Sequence, residues 1–240
     1  MKLKQAMTGI AALACMTAAH AQSAGSFYVT SGWLHLAPQS SSDPLKETSV
    51  GGSPVNATLP NTGASLDSAD TLGLTAGYFV TDHIATEFVI GIPPKFNLDG
   101  SGSFSQYGKL GDAKQWSPTL LFKYYFMGPQ SRFRPYLGVG VTYVKFTDEE
   151  ITNSVFEQQV LHGPTTVSTD SSWEPVFNGG FTFAFDQHWF AGFSLSYIPL
   201  STTAKLSTEA TTPVGVLNVQ SQTKIKLNPI VSYISIGYRF

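Results

Sequence analysis

The sequence predicts an all-β fold, an eight-stranded antiparallel β-barrel that spans a membrane. Three observations predict it. Apolar and smaller or polar residues alternate with a period of two along many segments, most clearly over 226–240. Long and short connections alternate between these segments. Charged residues are 12 % of the chain, about half the share of roughly 25 % in soluble domains, while aromatic residues are 13 %.

The first 21 residues are predicted to be a cleaved signal peptide. Lys2 and Lys4 give it a positive start, the stretch 7–18 is mainly small and apolar, and an A-x-A cleavage site occupies 19–21. The apolar stretch is too short to cross a membrane as a helix. We therefore expect a single barrel domain over 22–240.

Cys15 is the only cysteine and lies inside this leader. A lipoprotein signal at Cys15 is an alternative, but Ala12 stands where such signals carry leucine. Cleavage at the A-x-A site leaves no thiol, which excludes disulfide chemistry and thiolate nucleophiles. The net charge of −2 offers no basic surface for nucleic acid. We expect neither a cofactor nor a bound metal.

The first four strands are predicted at 26–37, 71–81, 84–92 and 117–126. The first is rich in β-forming residues, and the other three alternate clearly. Their larger apolar residues are Leu72, Leu74, Tyr78 and Val80, then Ile84, Phe88, Ile90 and Ile92, then Leu120, Phe122, Tyr124 and Phe126. Gly, Thr and other small residues in between suit the inside of a narrow tube.

The last four strands are predicted at 134–147, 173–185, 189–200 and 224–240. Their larger outward residues include Leu137, Val139, Val141, Phe177, Phe181, Phe183, Trp189, Phe193, Leu195, Ile230, Ile234 and Ile236. Long loops are predicted at 38–68, 93–116, 148–172 and 201–223, with short turns between the remaining strands. This alternation places the loops outside the cell and both termini in the periplasm.

The last strand ends on Tyr238 and Phe240, both on one face. A terminal aromatic with another two residues earlier is typical of the strand that closes an outer-membrane barrel and serves as its assembly signal. We therefore expect the barrel-assembly machinery as a partner, together with outer-membrane lipid and lipopolysaccharide. The alternative is an edge strand of a soluble sandwich.

Several motifs resemble the OmpW family, including its AlkL-type members. They are FRPYLGVG at 133–140, Leu227-Asn228-Pro229, the ending GYRF, TDHI with Glu87, and the pattern Trp189, Tyr197 and Thr202-Thr203-Ala204. The resemblance covers nearly the whole mature chain. It implies an eight-stranded barrel with a largely hydrophobic interior. It also implies passage of small hydrophobic compounds across the outer membrane, with release sideways into the membrane.

The inward residues of the outer half are predicted to line a channel for such ligands. They are Val144, Phe146, Ser196, Ile198, Leu200, Val231 and Tyr233. An eight-stranded barrel has room only for side chains or one small ligand. The alternative is that these residues fill an impermeable barrel. Some relatives carry a bulky aromatic residue at the position of Ser196. A hydrophobic gate of that kind is therefore not inferred at Ser196 in this sequence.

Glu87, Lys123 and Arg239 are predicted to form a charge cluster near the periplasmic end. Buried charges are costly unless they are paired. We hypothesise that this cluster blocks the periplasmic exit. A purely structural ion-pair network is the alternative.

His83 and His188 lie in short turns and are interpreted as solvated residues rather than metal ligands. Two other functions stay open beside the channel. One is a structural or surface-receptor barrel that acts through its long loops. The other is a lipid A-modifying enzyme, which would need a serine, a histidine and an acid brought together near the membrane surface. We predict no enzyme and no catalytic residue.

Overall fold

The computed structural model describes residues 23–213 and 215–240. The predicted signal peptide, 1–21, lies outside the described residues. The strands are β1 (Phe27–Ala37), β2 (Ser41–Ser42), β3 (Lys46–Val50), β4 (Ser53–Thr58), β5 (Thr62–Leu66), β6 (Ala69–Phe79), β7 (Ile84–Gly91), β8 (Lys95–Gly102), β9 (Lys109–Trp116), β10 (Thr119–Tyr125), β11 (Phe133–Ile151), β12 (Thr165–Thr169), β13 (Ser172–Ala184), β14 (Trp189–Tyr197), β15 (Ser201–Thr212), β16 (Gly215–Lys226) and β17 (Ile230–Arg239). Short helical turns occupy Ser105–Tyr107, Ser154–Phe156 and Glu157–Leu161. Of the helices described, none is both long enough and apolar enough to cross a membrane.

Eight strands form a closed antiparallel ring, which confirms the predicted fold. The order around the ring is β1, β6, β7, β10, β11, β13, β14 and β17, and β17 pairs with β1 to close it. Closure leaves no free strand edge within the ring. The last strand therefore seals the barrel, as its sequence predicted.

The outer face of the ring is apolar. Exposed large side chains include Leu72, Leu74, Phe88, Phe122, Val139, Phe177, Ile234 and Ile236. A soluble protein rarely exposes so large a continuous apolar area. Aromatic rings gather at the end with the short turns, where Trp189 and Phe240 each contact Tyr238 at 5.1 Å between ring centroids. An apolar belt with an aromatic girdle is the surface that lipid requires.

The four long segments that connect the ring strands at the end opposite the short turns contain strands of their own. They form β2 to β5, β8 and β9, β12, and the long hairpin of β15 with β16. The strands continue the barrel wall beyond the apolar belt, in a region we call the extension. The exposed side chains of β15 and β16 are mostly polar, among them Lys205, Glu209, Gln220 and Lys224. Water rather than lipid faces them, so the apolar alternation that marks the other strands is missing.

The predicted strand 224–240 is also corrected, because it is two strands. β16 ends at Lys226 and β17 begins at Ile230. Between them Asn228 adopts a left-handed conformation with φ of 38°, and Pro229 has no N–H to donate. The chain therefore turns at this point and pairs with different neighbours on each side.

One seam of the extension is closed by side chains instead of a strand ladder. Ser42 Oγ accepts from Ala64 N at 2.7 Å, and Ser40 Oγ accepts from Leu66 N at 3.0 Å. Thr62 Oγ1 accepts from Leu45 N at 2.8 Å. These bonds join the β2–β3 segment to β5, so the wall of the extension surrounds its interior.

An ion-pair triad in the extension gives a pH prediction. Asp112 is buried and binds Lys95 Nζ at 2.9 Å and Lys109 Nζ at 3.0 Å. Burial by itself raises the pKa of the Asp112 carboxyl, but the two lysine hydrogen bonds outweigh it and leave the pKa below its ordinary value. A lowered pKa in the folded state contributes stability at neutral pH that is lost as pH falls through that pKa.

We therefore expect the extension to be cut faster by pepsin as the pH is lowered through the folded pKa of Asp112. The Asp112→Asn variant should be cut faster than wild type at the mildly acidic end of the series and should lack this pH-dependent component. Digestion rates over a pH series measure both. An identical pH dependence in the two proteins would remove Asp112 as the cause.

Candidate functional site

The barrel interior contains a cavity in the outer half of the ring, which we call the lower cavity because two others lie farther out, in the extension. Its volume is about 80 Å³. Apolar residues make up most of its wall, including Leu34, Val176 and Leu121. Of the residues predicted to line a channel, Ser196, Ile198, Val231 and Tyr233 border this cavity. A cavity of this size can accept a small molecule or several waters.

Two further cavities lie in the extension, each of about 60 Å³. The one we call the upper cavity includes Phe146 in its wall, together with Phe96 and Leu227. The outer cavity is bordered by Phe104 and Phe156, and both cavities share the residues Leu98, Ile151, Val167, Ala204 and Ile225. The interior of the extension is therefore apolar over most of its length.

Val144 and Leu200 are placed differently from the other predicted lining residues. Both are fully buried within one apolar cluster that includes Leu121, Val176 and Ile198 of the lower cavity and Phe146 and Ile225 of the upper cavity. They pack between the cavities, bordering neither. Phe96 was missed because it lies in a segment without clear alternation, and Leu227 because it stands at the break between β16 and β17, which the sequence indicated as one strand.

A polar layer closes the lower cavity at the short-turn end. Lys123 Nζ binds Glu87 Oε1 at 2.5 Å, and each side chain is about 5 % exposed. Tyr28 donates its hydroxyl to Glu87 Oε2 at 2.7 Å. Lys123 also lies 4.6 Å from the centre of the Tyr136 ring. With Tyr125, these residues form what we call the floor. Its two charges are neutralised within the barrel.

Arg134 supports the floor from the short-turn side. It is buried to 1 % exposure, and its guanidinium lies 4.7 Å from the centre of the Tyr125 ring. Its Nη2 donates to Asp82 O and its Nε donates to Met127 O at 3.0 Å, so it binds the turns on both sides. The inward position of Arg134, two residues before Tyr136, was the sequence signal that could have identified it.

Arg239 does not join the Glu87–Lys123 pair. Its guanidinium lies 4.9 Å from the centre of the Phe190 ring. It is 2 % exposed, and its Nε and Nη2 have no hydrogen-bond partner among the described residues. Around the floor, a cavity of about 20 Å³ is bordered by Phe190 and Lys123, enough for about one water.

The histidines of the short turns have structural contacts. His83 Nδ1 lies 2.7 Å from Tyr125 O, and the His188 ring stacks on Tyr238 at 5.5 Å. In the described part of the chain, no group of three or more His, Cys, Asp or Glu side chains is arranged to hold a metal ion.

The comparisons with known proteins agree with this architecture. The sequence matches the OmpW family over residues 23–240. Outer membrane protein W of Vibrio cholerae is 30 % identical, over 99 % of this chain and 100 % of the relative. Outer membrane protein AlkL of Ectopseudomonas oleovorans is 28 % identical, over 82 % of this chain and 75 % of the relative. The crystal structure of OprG from Pseudomonas aeruginosa superposes with a TM-score of 0.77 at 29 % identity, covering 91 % of this chain and 97 % of OprG.

These relatives are outer-membrane barrel proteins rather than enzymes. The closed ring and its apolar belt give this chain the same Gram-negative outer-membrane location. Because the family match extends over all of the described residues, the chain belongs to the OmpW family of outer-membrane β-barrel proteins.

Proposed function

We propose that the protein is a passive channel that takes small hydrophobic molecules into its barrel and releases them sideways into the outer membrane. The observation that carries this proposal is a series of apolar cavities that ends on a closed polar floor. Apolar walls favour apolar cargo. A paired and aromatic floor opposes passage straight into the periplasm, so an apolar molecule is left with the wall as its exit.

A local weakness of the wall beside the lower cavity supports sideways release. The strand ladder holds at Val89 with Thr119 and resumes at Lys95 with Lys114. Between these points the described residues contain no register pair, and a single backbone hydrogen bond, from Gln115 N to Pro94 O at 3.1 Å, crosses the region, which we call the wall gap. Pro93, Pro94 and Pro118 in the wall gap cannot donate backbone hydrogen bonds.

The wall gap lies between the lower cavity and the lipid-facing surface of the barrel. Gly91 and Ser117 face the lower cavity. On the outside, Ile92 and Trp116 are exposed on the apolar belt. Opening the wall gap would therefore join an apolar cavity to lipid with few hydrogen bonds to break.

Assembly of the barrel is proposed to depend on Tyr238 and Phe240, recognised by the barrel-assembly machinery. The support is that β17 is the C-terminal strand and that its pairing with β1 closes the ring. Lipopolysaccharide and lipid are the proposed partners of the outer face.

Uptake of n-octane by cells that lack this protein, with and without its restoration, tests the channel proposal. We expect restoration to raise the uptake rate severalfold, because the barrel removes the barrier that the lipopolysaccharide layer presents to apolar solutes. The barrel must be shown to be folded in the outer membrane by its heat-dependent shift on a denaturing gel. Unchanged uptake with a folded barrel would overturn the proposal.

A further inference from the structure

The outer cavity is covered at the far end of the extension by a short segment, residues 153–163, which we call the lid. The lid joins β11 to β12 and contains the helical turns Ser154–Phe156 and Glu157–Leu161. Phe156 is 3 % exposed and borders the outer cavity. Phe104, which follows the end of β8, lies 5.0 Å from it between ring centroids. Because both rings lie beyond the ends of their strands, they cover this apolar cavity on its outer side.

Apolar packing holds the lid in this position. Among the described residues of the lid, Phe156 and Leu161 are the two that are buried, and they share one cluster with Leu45, Phe104 and Leu110. The Phe156 ring also lies 5.4 Å from the Tyr107 ring between centroids. Most other lid side chains face water. A segment with so few buried side chains opens at a lower free-energy cost than a ring strand, which is paired along both edges.

The side chain of Asn153 fastens the lid to the neighbouring strands. Its Oδ1 accepts from Phe156 N at 2.9 Å and so caps the turn that carries this ring. Its Nδ2 donates to Tyr107 O and to Lys109 O, both at 2.9 Å. Both of these carbonyls can only accept, so the amide orientation is fixed. One side chain therefore links the first turn of the lid to the connection between β8 and β9.

The backbone of the lid is attached at its two ends and free between them. Asn153 N donates to Leu110 O at 3.1 Å, and Thr211 N donates to His162 O at 2.9 Å. Between these points, the backbone of 154–161 makes no hydrogen bond to the backbone of any described residue outside the lid. The lid can therefore move as a flap about its ends without breaking a strand ladder.

We propose that the lid is the entry gate of the channel. The flap 154–161 moves outward when the Asn153 amide releases the carbonyls of Tyr107 and Lys109, and cargo then passes Phe156 into the outer cavity. This inference rests on the proposed channel function and adds its route of entry. An apolar molecule replaces the contacts that Phe156 loses with the cluster, whereas a polar molecule does not. Opening of the lid then limits the rate of uptake.

A single cysteine beneath the lid tests this opening directly. Ala204 is 7 % exposed and borders the outer cavity, and residues 22–240 contain no native cysteine. The Ala204→Cys protein is treated in cells with a membrane-impermeant maleimide, whose rate of reaction follows the fraction of open lid. We expect Asn153→Ala to raise this rate on the order of tenfold, because three hydrogen bonds are lost. Protein-dependent uptake of n-octane should rise severalfold in the same variant.

Phe156→Ala is a second variant, since it uncovers the cavity and leaves the Asn153 amide in place; it should raise both rates. Asn218→Ala is the matched control, because it removes an amide that donates to Ser207 Oγ at 3.0 Å in the β15–β16 hairpin, outside the lid. Both rates should stay at their wild-type values. The heat-dependent gel shift shows that each variant is folded. A cysteine at Val216, which is 65 % exposed, gives the labelling rate of an uncovered thiol.

Three outcomes would overturn the inference. The first is labelling of Ala204→Cys as fast as that of Val216→Cys, and the second is a labelling rate that neither lid variant raises. The third is faster labelling with unchanged uptake of n-octane, which excludes entry at the lid. Each of these leaves the channel proposal standing as long as uptake depends on the protein. No protein-dependent uptake in any folded variant overturns both.

Discussion

A disulfide across the wall gap, made by Gly91→Cys and Ser117→Cys, is expected to reduce protein-dependent uptake of n-octane to near the level of cells without the protein. Both positions face the lower cavity, and they fall opposite each other if the register of β7 with β10 is continued. A Cβ at Gly91 meets its nearest neighbour, Leu34, at 3.4 Å, so the substitution fits. The disulfide would join the two sides of the wall gap covalently and so block sideways exit.

Residues 22–240 contain no cysteine, so no native thiol of this segment competes with the introduced pair. Reduction of the disulfide should restore uptake in the same cells. The matched control is Ser196→Cys with Val231→Cys, a register pair that borders the same cavity on the opposite wall, where the ladder is intact. It should form a disulfide and leave uptake unchanged. Full uptake through the oxidised wall-gap variant would refute exit at this place.

Removing one partner of the floor pair is expected to have the largest effect on stability. Glu87→Ala leaves the Lys123 ammonium buried without its carboxylate and leaves the Tyr28 hydroxyl without its acceptor. Breaking a buried ion pair in this way costs about 3–5 kcal/mol of unfolding free energy. The double variant, with Lys123→Ala as well, should lose less than the sum of the two single losses. Urea unfolding of the refolded barrel in detergent measures these differences.

The same double variant tests whether the floor blocks the exit to the periplasm. We expect its single-channel conductance in a planar bilayer to rise severalfold, because two of the five side chains that form the floor are replaced by methyl groups. The control is Asp170→Ala with Lys205→Ala, which removes an exposed pair of the extension. That change should cost about 1 kcal/mol or less and leave conductance unchanged. Unchanged conductance and uptake in the floor variant would show that the pair is structural only.

The sequence determined the wall of this barrel. Alternation at β6, β7, β10 and β17 depends on each strand facing lipid on one side and a narrow interior on the other, so it can be read from each segment alone. The predicted inward placement of Glu87 and Lys123 follows from the same alternation. The short turns and the ring order of the strands also follow, because neighbouring antiparallel strands pair locally.

Only the tertiary structure decided which inward residues meet. Contacts across the ring depend on the stagger of the strands around the barrel, which no single segment encodes. That stagger separates Arg239 from Glu87 and places Arg134 under Tyr125. The strands of the extension could likewise not be predicted from the sequence. Water on their outer side removes the alternation of apolar and polar residues that lipid imposes on the ring strands.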